Sequence, residues 1–272
     1  MKPITKAIKL ALIGAASTLA PVSAWANDPC GGLPSHAELK AALEAATGNP
    51  PSANGGFNLE MWGTIVNRDG VVCAVAFTGE ARGDQWPGSR VISGQKANTA
   101  NAFSLNGLAL STANLYSAVS PGGSLYGLQH SNPVDTAVAY GGPGHVGGRA
   151  SNYGQPNDPL VGKFIGGVNV FGGGLALYNG SVIGGLGVSG DSSCADHNVA
   201  WKTRFFLNLD NVPGGVSLTG DDNIVNDITP QPGQQEGVSA GGFGHPACTP
   251  DATAIAADLP ADFPIGPLPP AP

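Results

Sequence analysis

The apolar positions of this 272-residue chain follow two periods that alternate along its length. In SHAELKAALEAATG, residues 35–48, Leu39, Ala42, Leu43 and Ala46 recur at helical spacing. Ser35 and Glu38 stand at capping-box spacing and Gly48 closes the run, which predicts a helix. MWGTIVNRDGVVCAVAF, residues 61–77, has two runs rich in β-branched and aromatic residues around the turn signal NRDG, which predicts a β-hairpin. Helical spacing returns in RVISGQKANTANAF, residues 90–103, through Ala97, Ala100 and Phe103, with Ser89 available as N-cap. GLALSTANLYSAV, residues 107–119, predicts a further helix stopped by SPGG. A second hairpin is predicted in VNVFGGGLALYNGSVIGGLGVSG, residues 168–190, where Asn179-Gly180 is the preferred pair for a two-residue type I′ turn. SSCADHNVAWKTRFFLNLD, residues 192–210, predicts a closing helix, with Ser193 and Asp196 to cap it and Ala195, Val199, Phe206 and Leu209 near one face.

Two stretches lack either period. Residues 135–167 hold nine glycines and three prolines and predict a long surface loop or insertion. Residues 229–272 hold 10 of the 23 prolines and predict an extended, partly disordered tail held near the body through Cys248. The expected division is therefore a leader at 1–26, a body at 27–210 and a Gly/Pro-rich extension at 211–272.

The leader reads as a secretory signal: Lys2, Lys6 and Lys9, then the apolar LALIGAASTLA, then Ala24-Trp25-Ala26 as cleavage site. No later stretch approaches 18 uninterrupted apolar residues, so the expectation is an exported protein, periplasmic or secreted, without a membrane span. Cleavage after Ala26 leaves nine Lys and Arg against nineteen Asp and Glu, a net charge of −10. Such a surface repels polyanions, which argues against nucleic acid and anionic lipid as partners. Cys30, Cys73, Cys194 and Cys248 are an even set in an exported chain, which points to two disulfides with three pairings possible. No C-x-x-C occurs, so neither a zinc motif nor a covalent haem attachment is present.

Gly185-Leu186-Gly187-Val188-Ser189-Gly190 spells G-x-G-x-x-G, and Asp210 follows twenty residues later, the spacing of a dinucleotide fingerprint. That fold needs a parallel second strand after a helix, whereas the Asn-Gly turn makes this segment the second arm of an antiparallel hairpin. Its glycines fall inside the strand, where they mark close approach, expected here from a neighbouring subunit or the edge of a ligand pocket. Ser189 is one glycine out of register for a nucleophile elbow, and no metalloprotease, P-loop or paired-carboxylate motif is present.

The same stretch has a better match. GGGLALYNGSVIGGLGVSGD followed by ADHNVA resembles the signature of the GlcG/HbpS-like haem-binding family. GTIVNRDGVVCAVAFTGEAR resembles that family's first hairpin, and SRVISGQKANTANAF its K-A-x-T-A helix, in the same order over roughly residues 35–135 and 168–210. Leu175 stands where the family usually has proline, and Asp196-His197 replaces an acidic pair. The resemblance implies an α/β domain of the α+β type, an antiparallel sheet packed by helices, often assembled into homo-oligomers. It implies non-covalent haem as ligand, in storage, delivery or sensing. Against it stand an accessory or oligomerisation module without cofactor, and an enzyme acting on a small molecule or degrading haem.

Haem needs an apolar slot, an axial ligand and cations for its propionates. His197, beside the signature loop, and His36, at the start of the first helix, are the candidate iron ligands, with His130 as a further haem-contacting candidate. His145 and His245 rank below them, Met61 is the one methionine after the leader, and tyrosine is an alternative ligand. Arg82, Arg90 and Lys96 are the candidate propionate partners, because they lie around the family's arginine and K-A-x-T-A elements.

Overall fold

The computed structural model describes residues 28–48, 54–141, 149–229, 232 and 237–266. The expected leader, His145 and the last six residues of the tail lie outside the described residues. The chain forms helix α1 (His36–Thr47), strands β1 (Trp62–Asn67) and β2 (Val72–Phe77), and helix α2 (Ser89–Phe103). Short helices α3 (Tyr116–Val119), α4 (Leu128–Ser131) and α5 (Thr136–Tyr140) precede strands β3 (Gly174–Tyr178) and β4 (Val182–Ser189). Helix α6 (Ser193–Phe206), the two-residue strands β5 (Ile228–Thr229) and β6 (Val238–Ser239), and helix α7 (Pro250–Asp262) complete it.

β1 to β4 make one antiparallel sheet in the order β2-β1-β4-β3, an α+β fold. The two hairpins are thus zipped together along β1 and β4, Trp62 opposite Ser189 and Asn67 opposite Gly184. Alternate residues turn to opposite faces. Ile65, Leu175, Leu186 and Val188 join Leu39 and Leu43 of α1 and Val199 and Trp201 of α6 in the larger core. On the other face, Thr64 Oγ1 lies 2.7 Å from Ser93 Oγ of α2, and Gly185 and Gly187 lie under the α2 backbone. A Cβ on Gly187 would stand 1.9 Å from the Ser93 carbonyl oxygen, and one on Gly185 2.3 Å from that of Ala97. What approaches these glycines is therefore a helix of the same chain, not a subunit or a ligand. This also disposes of the dinucleotide fingerprint, since Asp210 pairs with Tyr178 at the β3 edge.

Other expectations hold or shift for local reasons. The α1 capping box forms, Glu38 accepting from Ser35 N at 2.7 Å, and Gly48 ends the helix at φ +79°. Gly70, at φ +86°, supplies the left-handed residue of the first hairpin turn. The second hairpin is not type I′: Tyr178 pairs with Val182 across a three-residue turn, and of its residues Gly180 alone has positive φ, whereas type I′ needs two. Gly88 stands at the N-cap of α2 and Ser89 is buried inside the helix. Ser192, not Ser193, caps α6, because Asp196 is turned back toward the strand end. Of residues 107–119 only 113–119 are helical.

Two corrections are larger. Segment 135–167 is no mere surface loop: Ala139, Leu160 and Ile165 are buried with Trp62, Val66 and Val75 on the α2 side. The tail is not simply extended. Thr249 caps α7, Pro250 opens it, and Ala252, Ala256 and Leu259 form a buried stripe against α6. Alanine's helix propensity outweighs the proline count of that tail. The disulfides are Cys30–Cys73, tying the segment before α1 to β2, and Cys194–Cys248, tying α6 to the residue before the α7 cap. Among the described residues no helix is long and apolar enough to cross a membrane.

Candidate functional site

The sequence candidates separate into core residues and surface residues. Lys96 is sealed between α2, β4 and α6, its Nζ 2.6 Å from Asp196 Oδ2 and 3.0 Å from the Val188 carbonyl. Asp196 Oδ1 accepts from the amides of Gly190 and Asp191 at 3.0 and 2.8 Å, so one carboxylate holds the signature loop and the lysine together. Burial lowers the pKa of Lys96 and pushes that of Asp196 up to about 6, each partner's charge opposing the shift of the other. Lys96 thus stands as a core ion pair that no propionate reaches in this conformation.

His197 is likewise fully buried. Its Nε2 lies 3.1 Å from Asn223 Oδ1 and 3.0 Å from the Ile224 amide. Asn223 Nδ2 donates to the Ala256 carbonyl, which turns Oδ1 toward the imidazole. Burial drives the pKa of His197 down to about 3, so the ring is neutral, but the tail covers it. His245 is also buried, its Nδ1–H donating to the Pro246 carbonyl at 2.7 Å, with its pKa lowered to about 4 by burial. His130 is exposed on α4, which contributes nothing to the groove described below.

Arg82 and Arg90 do meet. They flank a groove of about 590 Å³ whose walls come from β1, the start of α2, the end of α5 and Tyr153. Trp62, Pro87, Val91 and Ala139 form an apolar floor, with Tyr140 and Tyr153 beside it. Arg82 is solvent-exposed at the lip. Arg90 is buried: its Nε donates to Asp158 Oδ2 at 2.9 Å, its Nη2 bonds Asp158 Oδ1, and its guanidinium lies 3.9 Å from the Tyr153 ring centroid. His36 stands behind the wall, its Nε2–H donating to the Gly154 carbonyl at 2.8 Å. The groove therefore combines an apolar slot, an exposed cation and two phenols, and its volume falls within the range of small-molecule sites. A larger cleft of about 890 Å³, between residues 116–124 and 228–246, has no charged side chain among its described lining residues.

Sequence reasoning reached Arg82 and Arg90 through the hairpin and helix they border. It missed Tyr153, which lies in the glycine-rich segment with no motif around it; an aromatic followed by Gly154 and Pro156 was the one available signal.

Asp210, placed by the fingerprint as a ribose partner, is 3% exposed, and neither carboxylate oxygen has a hydrogen-bond partner among the described residues. Burial pushes its pKa up to about 6, against the pull of Arg204. A folded-state value above the unfolded one, near 3.9, is a cost absent below pH ~4 and complete above pH ~6. Asp210→Asn is therefore expected to gain about 2 kcal/mol on the parent between pH 4 and pH 7. Urea unfolding of both proteins at the two pH values checks it; a difference that does not change with pH refutes it.

The model of the family described as haem degrading protein HbpS-like matches residues 38–203. Similar solved structures include a PduOC–haem complex, 23% identical with a TM-score of 0.42, covering 64% of this chain and 91% of that one. Klebsiella pneumoniae protein ORFY is 24% identical with a TM-score of 0.41, covering 64% and 90%. No curated protein is detectably similar. The family match spans α1, both hairpins, α2 and nearly all of α6, and the chain belongs to the HbpS-like haem degrading protein family.

Proposed function

We propose that this chain is an exported protein that binds haem non-covalently in the groove between β1, α2 and Tyr153. The observation that carries the reading is the combination within the family-matched segment of an apolar floor, phenolic walls and the exposed Arg82 guanidinium. These residues fit the group. Pro87 and the Tyr140 and Tyr153 rings offer apolar surface to a macrocycle over a buried backing of Trp62, Val91 and Ala139, Arg82 meets a propionate, and the phenols offer oxygen donors to iron. Bound haem would supply a redox-active iron; the chain's own residues hold the ring, neutralise its carboxylates and exclude water from one face. Two disulfides suit an oxidising compartment and support export to the periplasm or beyond, after cleavage of residues 1–26. Storage or delivery of haem as a homo-oligomer is the role we assign, with 27–210 as the binding body and 211–272 as an extension laid over α6.

Hemin titration of residues 27–272 tests the reading. A saturable Soret shift is expected; a spectrum equal to free hemin throughout overturns it and leaves an oligomerisation module. Regiospecific ring opening on adding reductant and peroxide would assign a haem-degrading enzyme instead. Arg82→Ala is expected to weaken hemin binding about fivefold, roughly 1 kcal/mol, with the difference shrinking at high salt because the guanidinium is exposed. Equal affinity for the two proteins at low salt would remove Arg82 from the site.

A further inference from the structure

Among its described lining residues the groove presents no imidazole, thiol or thioether; its donors are the hydroxyls of Tyr140 and Tyr153. The two phenols differ in how they are held. Tyr140 is 64% exposed at the end of α5. Tyr153 is half-buried against the α2-side core, with the Arg90 guanidinium over its ring, and its hydroxyl has no hydrogen-bond partner among the described residues.

The residues after it are tied down. Gly154 N donates to Asp158 Oδ2 at 2.6 Å, Leu160 N to Asp158 Oδ1 at 2.8 Å, and His36 holds the Gly154 carbonyl. Gly154 itself, at φ +71°, packs so closely on Phe77 and Trp62 that a Cβ would stand 2.2 Å from Phe77. The Asp158 carboxylate that anchors this loop also fixes Arg90, so ring and cation are set by one ion pair. An aromatic ring held in this way on the groove wall, its hydroxyl without a hydrogen-bond partner among the described residues, is a preorganised oxygen donor.

We propose that Tyr153 is the residue whose phenolate oxygen would hold the iron of ferric haem in this groove, an inference that rests on the haem-binding reading above. On ligation the phenolic O–H bond breaks, its proton passes to solvent and an oxygen–iron bond forms; no electron is transferred. Phenolate is one of the ligands by which proteins hold haem iron, and its anionic oxygen favours the ferric state. Negative charge on an iron-bound phenolate spreads into the ring, and the Arg90 guanidinium lies 3.9 Å from that ring's centroid.

The test is hemin-loaded residues 27–272, with absorption and resonance Raman spectra of the parent, Tyr153→Phe, Tyr140→Phe and Tyr153→His. The parent and Tyr140→Phe are expected to show an iron–phenolate charge-transfer band and enhanced tyrosinate vibrations. Tyr153→Phe is expected to lose both and to bind hemin about tenfold more weakly, with the thermal midpoint of the hemin-free protein unchanged because the hydroxyl has no hydrogen-bond partner among the described residues. Tyr153→His is expected to replace the phenolate signature with that of imidazole. Saturable binding without the phenolate signature in the parent, or its survival in Tyr153→Phe, overturns the ligand and leaves the groove standing. Absence of saturable binding in the parent overturns both.

Discussion

Asp222→Ala is expected to destabilise the fold by about 3–5 kcal/mol, because it strands a fully buried guanidinium. Arg204, on the last turn of α6, is 0% exposed. Its Nη1 and Nη2 donate to the two oxygens of Asp222, each at 2.7 Å, and Nη1 also reaches the Ala176 carbonyl at 3.2 Å. Trp201 lies beside it, 5.0 Å from guanidinium carbon to ring centroid. The pair joins the sheet, α6 and the C-terminal extension at one point. Desolvation opposes the charge on Arg204, and Asp222 is the main reason its pKa stays raised. Removing Asp222 leaves the charge without its bidentate partner at a fully buried position. The double change Arg204→Met with Asp222→Leu removes both charges and is expected to recover most of the loss. Urea unfolding of the three proteins at pH 7 reads this; a single variant within 1 kcal/mol of the parent would show that Arg204 finds water or another acid.

Gly187→Ala is expected to cost about 3 kcal/mol, at the upper end for overpacking. The added methyl would stand 1.9 Å from the Ser93 carbonyl oxygen and 2.5 Å from the Ala97 amide nitrogen, both backbone atoms of α2. No rotamer change relieves a clash between backbone and Cβ, so α2 must move off β4. That movement would also loosen the Thr64–Ser93 contact and the bond from Lys96 to the Val188 carbonyl, both of which run from α2 to the sheet. Gly180→Ala, at the exposed turn, is the contrasting change: its φ of +98° costs backbone strain, but nothing stands within 4 Å of the new atom. Thermal unfolding with the Gly187 variant equal to the Gly180 variant would contradict direct packing of helix on strand.

The two hairpins, α1, α2 and α6 were legible because each carries its own local instructions. Ser35 with Glu38, Asn67 to Gly70, and the apolar stripe of α6 act within a few residues of themselves. The tail helix was not legible, since ten prolines in 44 residues hide a capped run of thirteen. The site was legible in part. Arg82 and Arg90 lie near recognisable elements, but whether a histidine is a ligand or a core residue depends on what covers it. His197 sits next to Asp196 at the start of α6, just after the signature loop, and the covering groups, Asn223 and Ile224, are 26 and 27 residues away. Tyr153 becomes a site residue only when Asp158 folds back onto Arg90, 68 residues distant.

Local periodicity and turn chemistry therefore determine most elements of this protein and the antiparallel pairing of its hairpins, and its motifs carry the family resemblance. Burial determines which of its polar residues are free to act. Lys96, His197 and Arg204 share sequence neighbourhoods with surface residues, yet each is enclosed by a segment far along the chain. Desolvation and partner geometry are properties of that enclosure, and no spacing within α2 or α6 encodes them.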